Sequence, residues 1–188
     1  MTTIRMERPA DAGAREQLLD ACFGENREAR TCERLREGRL SAEGLAFAAV
    51  ADGRLVGTLR LWNICAGPAR PALMLGPLAV DPALRDRGIG GALMRHALAA
   101  AQGHAAILLL GDAPYYARFG FSADKTGALW LPGPYEAERL LGFELAPGAL
   151  DGARGLVSPT GRQKPSPDLR RLVAAHRRAD RRGLSHAA

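Results

Sequence analysis

Residues 80–94 read VDPALRDRGIGGALM. The apolar run ALMLGPLAV ends there at Val80, an Asp-Pro turn follows, and a helical pattern takes over at Gly90. The apolar run AAILLLG comes next, at residues 105–111. A strand, a helix and a second strand in that order demand a parallel pairing and a right-handed crossover. No other segment limits the fold so strongly. The junction itself carries Gly88, Gly90 and Gly91, with Arg85 and Arg87 just before them. A helix start presents backbone N–H groups that have no partner within the helix, and the helix dipole adds partial positive charge at the same end. Together these bind phosphate. Glycines remove the side chains that would hold an anion away from those amides. The junction is built to hold a phosphate-bearing ligand.

Upstream, LAFAAVADGRLVGTLRLWNI places two β-rich runs around Asp52-Gly53, a strong hairpin signal. Gly76-Pro77 interrupts the next strand and predicts a bulge or local splaying. TIRMERPAD starts as a short edge strand, Asp11 can cap a helix running to Phe23, and a second helix is expected over 28–40. DAPYYARFGF reads as a short helix with Asp112 as cap and Pro114 in its first turn. GALWLP and RLLGFELAP are late strands. The expected order is β-α-α-β-β-β-α-β-α-β-β, an α/β domain with a mixed sheet whose hairpins pair antiparallel.

Two familiar phosphate loops do not fit. A Walker loop needs GxxxxGK[ST], and no Lys, Ser or Thr stands here. A Rossmann fingerprint needs GxGxxG, and Leu93 occupies its last position. Metal chemistry is not expected either. Cys22, Cys32 and Cys65 form no CxxC pair, and the four histidines form no HExxH pattern. No run approaches the ~20 apolar residues of a membrane span, and MTTIRMERPAD lacks a charged segment followed by an apolar one. A cytoplasmic protein without a membrane partner is expected.

Charge divides the chain. Residues 162–188 hold eight basic and two acidic residues, while the remainder holds 18 of each, so the net +6 belongs to the tail. The expected division is a domain over 1–161 and a basic tail over 162–188. In the tail, Leu169, Leu172, Val173 and His176 fall on one helical side, with Arg170, Arg171, Arg177, Arg178 and Arg181 on the other. Two readings stand. The apolar side docks on the domain or on a second subunit of a homodimer, or the basic side meets RNA, DNA or an anionic surface. The first is favoured, because only two of the 26 basic residues are lysine and the arginine bias is general.

Arg85-Asp86-Arg87-Gly88-Ile89-Gly90, following a strand that ends AVDP, resembles the R/Q-x-x-G-x-G acetyl-CoA signature of the GNAT superfamily of N-acetyltransferases. YYARFGF is similar to the family's late motif, in which a Tyr stands four residues before Gly-Phe; here Tyr116 precedes Gly120-Phe121. The order of elements also matches, from residue 3 to about 150. The GDAPYYARFGF form, with LPGP and ELAPGAL after it, is similar to a subgroup of small bacterial members.

The resemblance implies a GNAT-like, mostly antiparallel sheet with splayed central strands flanked by helices. It implies acetyl-CoA as acetyl donor and no metal. Residues Leu78, Ala79, Val80, Arg85, Asp86, Arg87, Gly88, Ile89, Gly90 and Gly91 would hold the donor. Its pyrophosphate would lie on the loop amides, its pantetheine arm along the splayed strand, and an amide near residues 78–80 would receive the oxyanion. Tyr116 would be the general acid for the leaving thiolate, with Tyr115 in a packing or substrate role. The acceptor would be a primary amine of a small molecule or of a protein. No acidic residue stands on the central strands as an evident general base; Glu25, Glu28, Glu33 or a chain of waters is the remaining choice. A non-catalytic acyl-CoA-binding module acting through its tail is the alternative. Trp62 and Asn63 either line the acceptor pocket or pack, and His96 lies off the helix's apolar stripe.

Overall fold

The computed structural model describes residues 1–165; the expected tail helix lies outside them. Strand β1 (Thr2–Met6) forms one edge of the sheet and is followed by helix α1 (Ala12–Phe23). Asp11 occupies the N-cap position of α1 without capping it. Its carboxylate instead accepts from Arg5 at 2.6 and 2.8 Å and from the Arg8 N–H at 2.7 Å. The Arg5 hydrogen bonds hold it at a pKa of about 2.

The helix expected over 28–40 does not form. Two short 3₁₀ segments, Glu25–Ala29 and Thr31–Leu35, are separated by extended Arg30. The apolar side there is thin and Gly38, at positive φ, breaks the run, so packing decides. Thr31 Oγ1 donates to Pro134 O, Arg34 to Pro132 O at 2.7 Å, and Leu35 is fully buried. Contacts a hundred residues away in sequence hold this segment, rather than local helix bonds.

β2 (Ala46–Ala51) and β3 (Arg54–Ala66) form the expected hairpin, with Asp52 and Gly53 both at positive φ. β4 (Pro71–Val80) pairs antiparallel with β3. Helix α2 (Ile89–Ala100) crosses over to β5 (Ala106–Leu110), which lies parallel to β4. The remaining elements are α3 (Ala113–Ala117), β6 (Leu129–Trp130), β7 (Leu140–Glu144) and β8 (Gly155–Pro159). The strand expected in GALWLP shrinks to two residues, and β8 was not anticipated. β8 pairs with the end of β3 that β2 does not reach, and with β6. The main path through the sheet is β1-β2-β3-β4-β5-β7. All its pairings are antiparallel except β4 with β5.

Alternation along β3 sorts the core into two layers. Leu59 and Leu61 pack with Leu93, Met94 and Ala97 of α2, while Trp62 and Ile64 pack on the opposite face with Leu129, Leu140 and Val157. α1 covers Ala79 on that opposite face through Leu18 and Leu19. Beyond the expected boundary at 161 the chain stays hydrogen-bonded: Leu40 N donates to Arg162 O and Lys164 N to Gly38 O.

Leu93 is wholly buried where α2 meets the sheet. Truncating such a side chain removes apolar burial and leaves a cavity. Leu93→Ala should therefore lower the unfolding free energy by about 2–5 kcal/mol, measured by urea denaturation.

Candidate active site

β4 and β5 pair at two positions only, Leu73 with Ile107 and Met74 with Leu108. Beyond these they separate. The local cause lies in the register of β4 with β3. Leu59 faces Leu78 and Leu61 faces Leu75, so Gly76 and Pro77 together oppose Arg60 alone. A one-residue bulge of this kind bends the strand that carries it. It also reverses the inward phase: Leu73 and Leu75 face the α2 layer before it, Leu78 and Val80 after it. Pro77 has no N–H to give a neighbour, and Trp62 Nε1 fixes the bulge by donating to Gly76 O at 2.6 Å. Gly76-Pro77 is thus a bulge, as the sequence suggests.

The separation opens a cleft of about 870 Å³, lined by residues 75–80 of β4 on one side and by Leu109, Leu110 and Gly111 on the other. α2 starts beside it. Gly88 is its N-cap in the left-handed conformation (φ 76°), and Asp86 is also at positive φ (62°). Ala92 N is the first α2 amide after the cap to return to Gly88 O, so the N–H groups of residues 89–91 point ahead of the helix. Of the expected donor-binding residues, Leu78, Ala79, Val80, Arg85 and Gly90 line the cleft. Asp86, Arg87 and Gly88 form the exposed turn beside it. The Ile89 side chain is core, which anchors the helix start, and Gly91 is half-buried.

Tyr115 and Tyr116 both line the cleft, edge to face with ring centres 4.8 Å apart. A Cβ on Gly90 would stand 2.9 Å from Tyr115 Oη, so that hydroxyl lies against the start of α2. The Tyr116 ring lies against Gly111, where a Cβ would stand 2.2 Å from Cε2. Burial pushes the Tyr116 hydroxyl up to about 12. Burial also raises the thiol of Cys32, which lines the same cleft. Asp112 holds the N-cap position of α3 but makes no capping bond. Pro114 stands where one of the two N–H groups a capping carboxylate uses would be.

A second cavity of about 300 Å³ adjoins the cleft, and Leu19, Arg27, Glu33, Arg36 and Pro77 line both. Glu28 and Trp62 line only this outer cavity, and Glu25 and Asn63 line neither. His96 is exposed, edge-on to Phe47 at 4.8 Å. Among the described residues, no group of three His, Cys, Asp or Glu side chains could hold a metal ion. No described helix is long and apolar enough to cross a membrane. Sequence reasoning missed Gly111, Thr58 and Arg36. Gly111 ends an apolar strand, a weak signal. Thr58 lies within a strand and Arg36 within an arginine-rich segment, and neither has a local signature.

A mixed sheet that opens between its two parallel strands, with a glycine-capped helix start beside the opening, defines the class of CoA-dependent N-acetyltransferases. The comparisons agree. The family model described as "Acetyltransferase (GNAT) domain" matches residues 42–123. The uncharacterized N-acetyltransferase YhbS of Escherichia coli is 32% identical over 157 residues, 82% of this chain and 93% of that protein. The crystal structure of YhbS in complex with CoA superposes with a TM-score of 0.71, covering 85% of this chain and 89% of that one. A GNAT family acetyltransferase from Brucella melitensis, solved in complex with acetyl-CoA, is 30% identical with a TM-score of 0.63, covering 85% and 96%. This chain belongs to the GNAT superfamily of N-acetyltransferases.

The Gly111–Tyr116 contact leaves no room for a methyl group. Gly111→Ala should destabilise the protein by about 1–3 kcal/mol, the range for overpacking. In a Tyr116→Ala background the same change should cost far less, and a double-mutant cycle by denaturation measures the coupling.

Proposed function

We propose that this chain binds acetyl-CoA in the cleft between β4 and β5 and transfers its acetyl group to a primary amine. The observation that carries this reading is the convergence on one cleft of an unpaired strand edge, a helix start and a tyrosine hydroxyl. The pyrophosphate would take the amides of residues 86–91, with Arg85 and Arg87 adding charge at the rim. The pantetheine arm would follow residues 75–80, whose backbone groups have no β5 partner. Relatives solved with CoA and with acetyl-CoA support this assignment. The tail beyond the described residues is taken to lie outside the site.

In the reaction the amine lone pair attacks the carbonyl carbon, the N–C bond forms and the C–S bond breaks. The amine loses a proton and sulfur gains one. An amide near residues 78–80 would receive the oxyanion, and Tyr116 would supply the proton to sulfur. A phenol held at about 12 stays protonated at neutral pH. A free thiol in water titrates near ~8.5, so the transfer is uphill there. Burial narrows the gap, because it makes a thiolate formed in this cleft more basic, as it does for Cys32. For the base, Glu33 borders both cavities and Glu28 the outer one. Glu25 borders neither and is set aside.

Calorimetry should show CoA binding by the folded protein. Most donors to the pyrophosphate are backbone, so Arg87→Ala should weaken binding only modestly. Gly88→Val should nearly abolish it, because Gly88 sits at φ 76° and its open side is where a ligand would approach. Absence of CoA binding by the wild type would overturn the reading.

Tyr116→Phe removes one hydroxyl and keeps the ring, so CoA affinity should hold while kcat falls by about 10²–10⁴. Tyr115→Phe should retain far more activity. A general acid must be protonated to act, and its raised pKa keeps Tyr116 protonated well past neutrality. Wild-type kcat should therefore not decline between pH 7 and 10. Equal turnover by Tyr116→Phe, with chemistry rate-limiting, would leave water as the proton donor.

A further inference from the structure

Among the described residues, two buried side-chain nitrogen or oxygen atoms have no hydrogen-bond partner: Arg36 Nη1 and Thr58 Oγ1. They are far apart in sequence, yet both residues line the outer cavity. Arg36 also lines the cleft, so it stands in the wall the two spaces share. Arg36 is 8% exposed and Thr58 1%. Buried polar atoms are nearly always paired, and an unpaired one is costly. Two of them at one cavity call for a polar group, an ordered water or a bound ligand, that supplies the missing partners.

The arginines around the outer cavity differ in what they already hold. Arg15 is engaged by Glu7 and Glu16, Arg27 by Glu16 and Asp20, and Arg60 by both oxygens of Glu7. Arg36 donates through Nε to Cys32 O at 3.1 Å, and its Nη2 stands 3.1 Å from one oxygen of Glu33 as an ion pair. Its Nη1 is buried and has no hydrogen-bond partner among the described residues. A guanidinium offers planar, forked N–H donors that suit the two oxygens of a carboxylate. The Glu33 carboxylate beside it disfavours a dianion such as a phosphate monoester. A compact monoanion is the better fit. Glu28 and Glu37 line the same cavity, are exposed, and make no ion pair among the described residues.

We propose that the acceptor is a small amine bearing a carboxylate, an amino acid or a close derivative, and that Arg36 is the residue that recognises its carboxylate. The inference rests on the acetyltransferase reading above. The carboxylate seats on Arg36 Nη1, with Thr58 Oγ1 as a further polar contact of the same cavity. The amine then points past the shared wall toward the cleft, where the acetyl donor would lie. Arg36 acts in binding and selection and takes no part in the proton transfers.

The experiment measures thiol release by the full chain with saturating acetyl-CoA. The acceptors are the α-amino acids and ω-amino acids of two to six carbons, each beside its carboxamide and the matching amine without a carboxylate. Wild type should prefer the acids, with KM at least tenfold lower than for the matched amides and little change in kcat. Arg36→Gln should raise KM for the acids alone and erase the preference, and Arg36→Lys should restore part of it. CoA titration by calorimetry checks that each variant is folded. Should the variants fail to fold, the wild-type comparison of acid with amide decides alone. Amides or simple amines turned over as well as the acids would overturn the role of Arg36 and leave the acetyltransferase reading standing. A uniform loss of kcat across all acceptors in Arg36→Gln would also overturn it, as a merely structural role. No turnover of any of these acceptors, with CoA bound, would overturn the carboxylate-bearing acceptor and leave the acetyltransferase reading standing.

Discussion

The parting of β4 from β5 after Met74 is the constraint on which the rest of the molecule depends. Two parallel strands in the middle of a sheet would ordinarily stay paired, because each unpaired buried backbone group is costly. Here they stay together for two positions and then leave residues 75–80 with one edge open. The bulge at Gly76-Pro77 makes this affordable. It bends β4 while keeping its antiparallel pairing with β3 on the other edge, where Gly57, Thr58 and Leu59 still face Val80, Ala79 and Leu78. The sheet keeps its continuity through β3 and gives up half of one seam.

Everything placed around the cleft follows from that opening. α2 packs over β3 and β4 through Ile89, Leu93, Met94 and Ala97, so its start is held rigidly at the end of the gap. The glycines there work in two ways. Gly88 takes the left-handed turn that begins the helix, and Gly90 leaves room for the Tyr115 hydroxyl. Gly111 does the same for Tyr116 from the opposite wall. The two tyrosines are neighbours in sequence but are seated by glycines from different elements. One hydroxyl lies by the helix start, and the other ring packs by the end of β5.

The outer cavity is of another kind. Its wall comes from α1, the two 3₁₀ segments and β3, and its chemistry is a lattice of arginine–carboxylate pairs. Glu7 is largely buried and is shared between Arg15 and Arg60, joining α1 to β3. Within that lattice each arginine has a carboxylate partner, and Arg36 is set apart by a buried Nη1 with no hydrogen-bond partner among the described residues. The segment carrying it takes its shape from the loop at residues 132–134. A change in that loop would therefore be felt at Arg36, in the wall that the outer cavity shares with the cleft.

Much of the cleft was legible in the sequence, because local chemistry specifies it. A hairpin at Asp52-Gly53, a bulge at Gly76-Pro77 and a helix start at Gly88 each depend on backbone freedom that only a few residue types have or lack. The same motifs carried the family resemblance, and with it the fold. What failed were inferences resting on propensity alone. The helix expected over 28–40 became two 3₁₀ turns because its anchors, Thr31, Arg34 and Leu35, answer to a distant loop. Asp11 and Asp112 stand at helix starts without capping, one captured by Arg5 and the other facing a proline. β8 was too short and too weakly patterned to be seen, and the free edge of β3 created its place. Arg36 and Thr58 had no local signature at all. Whether a buried donor is satisfied depends on every group around it in three dimensions, and only the tertiary structure decides that.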